Sequence, residues 1–256
     1  SAFDFVQDDV VSIVNKWAAE KTKGKIQKVI DTAPAGASAV FLNAIYFAAS
    51  WSDGFDSYYT KDRSFIGADG KVRSVKMMNK KDPYSSIDFA EGDNYSMVSL
   101  PYGKDNTAGN YSMQIILPKP GCDGMRVLEE IMQCGWSESL SSLKGKTVDL
   151  RLPRFTASTS SDLTQTLTSL GIKNAFSPMA DFSKMAAEKV YLSLIKQLAT
   201  ISVDEKGTEA AAVTVAMMEG ASGEDPEYIR FYADRPFFFT ISERTSGAIL
   251  FMGSYR

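Results

Sequence analysis

The stretch Glu205–Pro236, EKGTEAAAVTVAMMEGASGEDPEYIRFYADRP, decides how the rest of this sequence is interpreted. It begins with a charged turn, continues through small residues and ends in a segment rich in Gly, Ser, Glu, Asp and Pro. The strand-like segments ATISV and FFFTI flank it on either side. Inside a compact domain, a stretch of this length without an amphipathic period is uncommon and is usually a functional loop or a disordered segment.

The first half of this stretch, Thr208–Glu219, has the residue alternation of a β-strand. One parity is small almost throughout: Thr208, Ala210, Ala212, Thr214, Ala216 and Met218. The other parity begins and ends with a carboxylate, at Glu209 and Glu219. A segment with one small, uncharged face could fit between two strands that already cover a core. It also lacks proline, which central strands exclude, until Pro226.

Other features of the stretch fit an exposed loop equally well. Gly207 precedes the alternating segment, and Gly220, Gly223 and Asp225 follow it. A flexible linker is a third interpretation, although VTVAMM is richer in apolar and β-branched residues than linkers usually are. The pattern alone therefore leaves an inserted strand and a solvent-exposed loop both open.

Composition limits the classes of partner. The 256 residues are 44% hydrophobic and 23% charged, as in an ordinary globular protein. A net charge of −3 with mixed signs gives no basic surface for nucleic acid and no polybasic membrane patch. There is no apolar run long enough to cross a bilayer. The N-terminus, SAFDFVQDDV, does not resemble a signal peptide. We therefore expect neither nucleic acid nor a membrane as a partner.

Catalytic and metal-binding patterns are missing from the sequence. There is no histidine, which excludes His-containing zinc sites, Ser-His-Asp triads and Cys-His dyads. Cys122 and Cys134 flank a predicted helix that would hold them beyond bridging distance, so we expect two free thiols. No phosphate-binding or dinucleotide-binding glycine motif occurs. We expect no catalytic residue, no metal and no cofactor, and thus a protein that is not an enzyme.

A Ser-Lys hydrolase is the remaining enzymatic alternative. The S-x-x-K spacing occurs twice, at Ser141/Lys144 and at Ser193/Lys196. The companion S-D-N and K-T-G motifs are absent, and two unrelated matches in a chain rich in Ser and Lys indicate chance.

Many short strands and few helices, not in βαβ order, predict an α+β domain with more than one sheet. A helix capped by Asp8 or Asp9 should place Val10, Val14, Trp17 and Ala18 on its inner face. A helix over Gly124–Cys134 should direct inward the four residues Met125, Leu128, Ile131 and Met132.

The segment from Ala39 to Phe47 is nearly all apolar and predicts a strand buried on both faces. Asn43 lies in its middle, and a buried amide should be hydrogen-bonded to a neighbouring strand; a bulge at Asn43 is the alternative. Such a strand needs two neighbours and two covering layers, which the preceding residues do not supply. We therefore expect that the chain lacks an N-terminal part of the natural fold.

The sequence resembles the serpins, the serine protease inhibitor superfamily, over essentially its whole length. The resemblance rests on EKGTEAAAVT, ADRPFFFTI and LFMG, together with NKWAAEKTKGKI, FLNAIYFAASW, SVKMM, LRLPRF and SDLTQTLTSLGI in the same order. It implies a single serpin domain over residues 1–256 with a reactive-centre loop at about 205–235. By the same resemblance, the N-terminal helices and several early strands of that fold are missing here.

The resemblance implies an inhibitor that traps a target serine protease, or a cysteine protease, by inserting its cleaved loop into the main sheet. The implied hinge of the loop comprises Glu205, Lys206, Gly207, Thr208, Glu209, Ala210, Ala211 and Ala212. A non-inhibitory serpin that acts as a binding or chaperone module is the alternative. The resemblance also favours a monomer with an extracellular or cell-surface location.

Four further residues match positions where the main sheet of serpins opens. Asn43 and Trp51 lie on the matching strand segment, and Arg154 would pair with Glu205 unless both are independent surface charges. Serpins often have histidine at the position of Gln197, opposite the asparagine matched by Asn43. Gln197 departs from that pattern, but it could make amide hydrogen bonds instead.

The family spacing from Glu205 places the cleaved bond between Ala221 and Ser222. A small residue before the cut would suit an elastase-like protease. Because the loop is longer than usual, the cut could shift to Gly223 or Glu224. Cleavage at Met217 or Met218 would suit a chymotrypsin-like enzyme, and cleavage at Glu219 a Glu-specific one.

Overall fold

The computed structural model describes residues 9–32, 39–103, 110–208 and 227–256. The chain divides into two compact units. The first unit comprises Ser1–Phe47 and Ser158–Ile201, and the second comprises Ala48–Ala157 and Ser202–Arg256. That the whole chain forms one domain stays a prediction.

The described residues form fifteen strands and four α-helices. The strands are β1 (Ala39–Tyr46), β2 (Ala49–Ser50), β3 (Lys61–Ile66), β4 (Val72–Lys81), β5 (Ile87–Glu91), β6 (Tyr95–Pro101), β7 (Tyr111–Pro118), β8 (Lys144–Lys146), β9 (Val148–Pro153), β10 (Phe155–Asp162), β11 (Leu192–Val203), β12 (Gly207–Thr208), β13 (Ile229–Tyr232), β14 (Phe237–Glu243) and β15 (Ile249–Tyr255). The helices are α1 (Val10–Lys21), α2 (Gly124–Cys134), α3 (Trp136–Ser141) and α4 (Thr164–Ser169).

The first unit contains α1 and a three-stranded sheet in the order β1-β11-β10. The Asp9 carboxylate caps α1 by accepting a hydrogen bond from the Ser12 amide, as expected from the sequence. The stripe of α1 that faces the core is spaced by fours, because Val10 and Ala18 are buried and Val14 packs beside them. Trp17 lies off this stripe and is 38% exposed, so its predicted inward position is wrong.

β1 is half-buried, which corrects the prediction of a strand buried on both faces. It pairs in parallel with β11 and lies at the edge of its sheet. Leu42 and Ala44 pack against the core cluster that includes residues of α1. Alternate residues of a strand point to opposite faces, so Phe41 and Asn43 lie on the other face, where both are exposed.

The second unit contains a six-stranded antiparallel sheet, a four-stranded mixed sheet and the small β12-β2 pair. The six-stranded order is β15-β14-β7-β6-β5-β8, and the four-stranded order is β13-β9-β4-β3. β13 pairs with β9 in parallel, whereas β9 pairs with β4, and β4 with β3, antiparallel. The α+β class with mixed and antiparallel sheets and few helices is confirmed.

α2 packs on the six-stranded sheet with a face that matches the predicted one only in part, since Ile131 is buried as expected. Val127 and Ile131 are buried against residues of β5, β6 and β7. Met125 and Met132 are exposed instead. The apolar residues of the helix cover about half of its circumference, and the sheet contacts one side of that wide face, so the sequence does not fix which apolar residues are buried.

Cys122 and Cys134 are free thiols, as expected. None of the helices within the described ranges has the length and apolar character needed to cross a membrane. Across the same ranges, no group of three or more His, Cys, Asp or Glu side chains is arranged to hold a metal ion.

Candidate functional site

A tight turn follows β11 and overlaps the start of the stretch Glu205–Pro236. The Asp204 amide donates to the Gly207 carbonyl at 2.9 Å, and the Gly207 amide donates back to the Asp204 carbonyl at 3.2 Å. The Lys206 amide also donates to the Asp204 carboxylate at 2.8 Å. These bonds fix the backbone from Asp204 to Gly207, which we call the hinge turn.

Trp51 and Phe55 hold the hinge turn from outside. The Trp51 backbone amide donates to the Lys206 carbonyl, and the Phe55 amide donates to the Glu205 carbonyl, both at 2.9 Å. The Trp51 indole N–H donates to the Asp204 carbonyl, also at 2.9 Å. Since Trp51 is 2% exposed, its indole N–H needs this buried partner, and the turn is tied to the core at three backbone carbonyls.

Glu205 and Arg154 form a bidentate ion pair in which only the carboxylate is buried. The Arg154 Nε lies 2.7 and 2.8 Å from the two carboxylate oxygens of Glu205, and Arg154 Nη2 also contacts Oε1. The Thr60 hydroxyl donates to the same Oε1. The Glu205 side chain is 8% exposed, whereas that of Arg154 is 44% exposed. Arg154 therefore closes one side of an otherwise buried carboxylate.

The charge state of this pair follows from its surroundings. Burial by itself raises the pKa of Glu205, but the hydrogen bonds from Arg154 and Thr60 outweigh it and hold the pKa below its ordinary value. The hydrogen bond to Glu205 raises the pKa of Arg154. Both groups are therefore charged at neutral pH, and the hinge turn carries an intact ion pair.

Thr208, the first residue of the alternating segment, is buried at 1% exposure. Its hydroxyl lies 3.0 Å from the Tyr102 hydroxyl. The Tyr102 ring stacks on Trp51 with ring centroids 4.4 Å apart and planes 12° apart. Burial raises the pKa of Tyr102, and the bond to Thr208 offsets part of that effect, so the phenol stays neutral. Thr208 is thus buried in the hinge, and the fit of its parity inside a sheet stays a prediction.

Gly207 and Thr208 form β12, which pairs antiparallel with Ala49 and Ser50 of β2. Gly207 has φ of +136°, a conformation that side-chain-bearing residues rarely adopt. A Cβ at this position would lie 2.3 Å from the Ala49 carbonyl oxygen. Glycine is therefore required for the loop to start as a strand.

Asn43 and Gln197 lie in the first unit, directly opposite each other in the β1-β11 register. Asn43 is exposed and Gln197 is half-buried, so the expectation of a buried Asn43 amide is wrong. The physical reason is the strand parity, which directs Leu42 and Ala44, rather than Asn43, toward the core under α1.

The remaining site predictions fall on residues 209–226, which lie outside the described residues. They comprise hinge residues Glu209, Ala210, Ala211 and Ala212, the bond Ala221–Ser222, and the alternative positions Met217, Met218, Glu219, Gly223 and Glu224. Their roles stay predictions.

Sequence reasoning missed three residues around the hinge turn. Tyr102 is 106 positions from Thr208, and Thr60 is 145 positions from Glu205. Phe55 contacts the turn through its backbone amide. No local period or motif links such distant positions, so only the fold reveals them.

Comparison with known proteins establishes the family. The family model described as "Serpin (serine protease inhibitor)" matches residues 1–256. An uncharacterized serpin-like protein of Methanosarcina acetivorans is 35% identical over 259 residues, which are 98% of this chain and 58% of that protein. Leukocyte elastase inhibitor of Bos taurus is 34% identical over 270 residues, 99% of this chain and 68% of that protein. The chain belongs to the serpin family.

Solved structures agree with this assignment. The native state of the thermophilic serpin tengpin has a TM-score of 0.83 at 28% identity, covering 99% of this chain and 64% of tengpin. Human thyroxine-binding globulin complexed with its ligand has a TM-score of 0.78 at 27% identity, covering 99% of this chain and 65% of that protein. The chain thus spans a little under two thirds of the length of these structures.

Proposed function

We propose that this chain is the loop-bearing part of a suicide-substrate inhibitor of serine proteases. The observation that carries the proposal is the start of the loop as a strand. Gly207 and Thr208 pair antiparallel with β2, and the small Thr208 side chain is buried. A loop that continues with alanines at 210 and 212 can extend this strand without placing bulk or charge inside a sheet.

The chemistry of the proposed mechanism belongs to the protease. The protease serine attacks the loop and forms an acyl-enzyme, and the freed N-terminal side of the loop then inserts between β1 and β11. These two strands run in parallel and pair directly in the described structure. An inserted strand antiparallel to both would replace one ladder by two.

The energy of insertion is large enough to drive such a step. Insertion of Thr208–Glu219 would form roughly two dozen ladder hydrogen bonds and break the roughly eight that join β1 to β11, a net gain of about 16. At about 0.5–1.5 kcal/mol each, this is on the order of 8–24 kcal/mol before the entropic cost of ordering. If insertion is faster than hydrolysis of the acyl-enzyme, the protease is displaced and distorted before deacylation and remains trapped.

The sequence spacing supports cleavage at Ala221–Ser222 and an elastase-like target, whose pocket accepts a small residue. The relative named leukocyte elastase inhibitor is compatible with this choice. Mass spectrometry of the released C-terminal peptide tests the position. A cut outside residues 217–224 would refute the assignment.

A gel-shift screen for covalent complexes tests the function. The chain is incubated with elastase, chymotrypsin, a Glu-specific protease and a papain-like protease, and SDS-stable complexes are scored. Thr208→Arg should convert the inhibitor into a substrate, because the buried position next to Tyr102 has no room or countercharge for a guanidinium. Thr208→Ser, which keeps the hydroxyl, is the matched control. Complexes of Thr208→Arg at wild-type stoichiometry would contradict the mechanism.

A non-inhibitory serpin is the second candidate. The similarity to a globulin whose structure contains thyroxine supports it, since that serpin is described as a ligand-binding protein. The small, proline-free hinge favours the inhibitor. We also propose that the protein is a monomer with an extracellular or cell-surface location.

A further inference from the structure

The four-stranded sheet of the second unit carries a cluster of cations and tyrosines on one face. In β9, Val148, Leu150 and Leu152 are buried, so Asp149 and Arg151 lie on the opposite face. The strand register aligns Arg151 with Asn79 of β4 and with Tyr232 of β13. It aligns Asp149 in the same way with Lys81 and Arg230. We call the side chains of Lys81, Arg151, Arg230, Tyr228 and Tyr232 the cationic face.

Asp149 is the one carboxylate among the residues aligned by this register, and two uncharged groups donate hydrogen bonds to it. Asp149 is 8% exposed. Its Oδ1 accepts from the Asn79 side-chain amide at 2.9 Å, and its Oδ2 accepts from the Tyr232 hydroxyl at 2.6 Å. Among the described residues, Lys81, Arg151 and Arg230 form no ion pair. Three cations against one carboxylate leave a net positive charge.

Two of the cations are held by aromatic rings. The Arg151 guanidinium carbon lies 3.8 Å from the centroid of the Tyr232 ring, and Lys81 Nζ lies 4.6 Å from that of Tyr228. Arg151 Nε is buried and has no hydrogen-bond partner within the described ranges. A stacked guanidinium has a fixed orientation and offers its edge to a planar bidentate acceptor such as a carboxylate.

The cationic face lies close in sequence to the proposed cleaved bond, Ala221–Ser222. Tyr228 is six residues after Ser222, the second residue of the proposed cleaved bond. Six residues of fully extended chain span at most about 20 Å. A protease engaged at that bond is therefore within reach of the cationic face with a second part of its surface.

The size and charge of the face favour a peptide over a polyanion. Three strands spaced by about 4.8 Å span on the order of 10 Å, which matches a pair of carboxylates on a short acidic segment. Three cations pair with few charges of a long polyanion such as a sulfated polysaccharide, whose attraction grows with the number of charges that it meets. The cationic face therefore suits an acidic peptide segment.

We propose that the cationic face is an exosite that binds an acidic surface segment of the target protease, with carboxylates at Arg151 and Arg230. This rests on the proposed inhibitory function, because the partner is the protease. The exosite would raise the rate of encounter rather than change the chemistry at the loop, since complementary charges chiefly accelerate association.

The first test measures binding of fluorescein-labelled hexaglutamate to the full chain by anisotropy at low and at physiological salt. Arg151→Gln/Arg230→Gln should weaken binding by about tenfold or more, as expected for two lost charge-assisted contacts. The control Lys144→Gln/Lys146→Gln removes the same charge from exposed positions of β8 and should bind as wild type. Equal binding by both variants, or tighter binding of a sulfated oligosaccharide at the same arginines, would overturn the proposal.

The second test separates the exosite from the inhibitory function. The rate constant of covalent complex formation is measured for the same variants with each protease of the screen. A reduced rate in Arg151→Gln/Arg230→Gln alone, with unchanged stoichiometry, supports the exosite. Complexes that form at equal rates in both variants refute the exosite and leave the inhibitor intact. Hexaglutamate binding without any protease complex refutes the protease as partner and the proposed function, while the carboxylate site stands.

Discussion

Removal of Arg154 tests whether the ion pair with Glu205 stabilises the hinge turn. Arg154→Ala removes the bidentate hydrogen bonds and leaves the Glu205 carboxylate, 8% exposed, with the Thr60 hydroxyl as its side-chain donor. Hydrogen bonds to charged groups contribute about 1.5–3 kcal/mol, and breaking a fully buried pair costs about 3–5 kcal/mol.

The exposure of Arg154 determines how much stability its removal costs. Because its side chain is 44% exposed, water can enter the space left by the guanidinium and solvate one edge of the carboxylate. We therefore expect a loss of about 2 kcal/mol in the free energy of unfolding, from the lower range of hydrogen-bond values. For a chain of this size, that loss lowers the Tm by about 4–8 °C.

The assay is urea and thermal unfolding at neutral pH, followed by circular dichroism. Arg73→Ala is the matched control, because Arg73 also makes two hydrogen bonds to one carboxylate, that of Asp69, but both side chains are exposed. The control should leave the Tm unchanged. Adding Glu205→Gln to Arg154→Ala should restore most of the loss, since an amide is cheaper to bury than a charge. Equal effects of Arg154→Ala and Arg73→Ala, or no restoration, would refute this reasoning.

Three further changes probe the same region. Tyr102→Phe removes the hydroxyl contact with Thr208, a bond of about 1 kcal/mol, and should speed hydrogen exchange of the Thr208 amide about fivefold. Tyr58→Phe, at an exposed ring, is the control and should leave that rate unchanged. An unchanged rate in Tyr102→Phe would show that the hydroxyl pair does not hold the hinge. Gly207→Ala should abolish the β12-β2 pairing and expose the hinge to proteolysis, because a Cβ has no space there; resistance equal to wild type would count against a strained glycine. The stability difference between wild type and Glu205→Gln should be present above pH of about 4.3, the ordinary glutamate pKa, and vanish as the pH falls through the lowered pKa of Glu205; a difference that persists in acid would contradict an ionised Glu205.

Residue patterns were reliable where one local period dominates. Turn residues at Thr245–Gly247 and at Asp69–Gly70 mark the two hairpins that the structure has as β14-β15 and β3-β4. The Asp9 cap and the start of α1 were also predicted. These features depend on neighbours within a few residues, and such neighbours are visible in the sequence.

Sequence patterns failed where more than one face of a helix or strand could have packed against the core. Met125 and Met132 were expected inward together with Ile131, but only Ile131 of these three is buried, and Val127 joins it over the six-stranded sheet. Asn43 was expected to be buried, but the parity of β1 directs its neighbours Leu42 and Ala44 to the core. Only packing against a specific partner decides such choices.

The sequence by itself determined the kind of chemistry and the capacity of the loop. The absence of histidine removed His-dependent catalysis, and the small parity beginning at Thr208 defined a segment able to become a strand. The tertiary structure alone decided what holds that segment. Tyr102 and Thr60 contact the hinge from positions 106 and 145 residues away, and the strand register places Arg151 on Tyr232. Contacts between distant positions arise from the pairing of strands, so no local pattern encodes them.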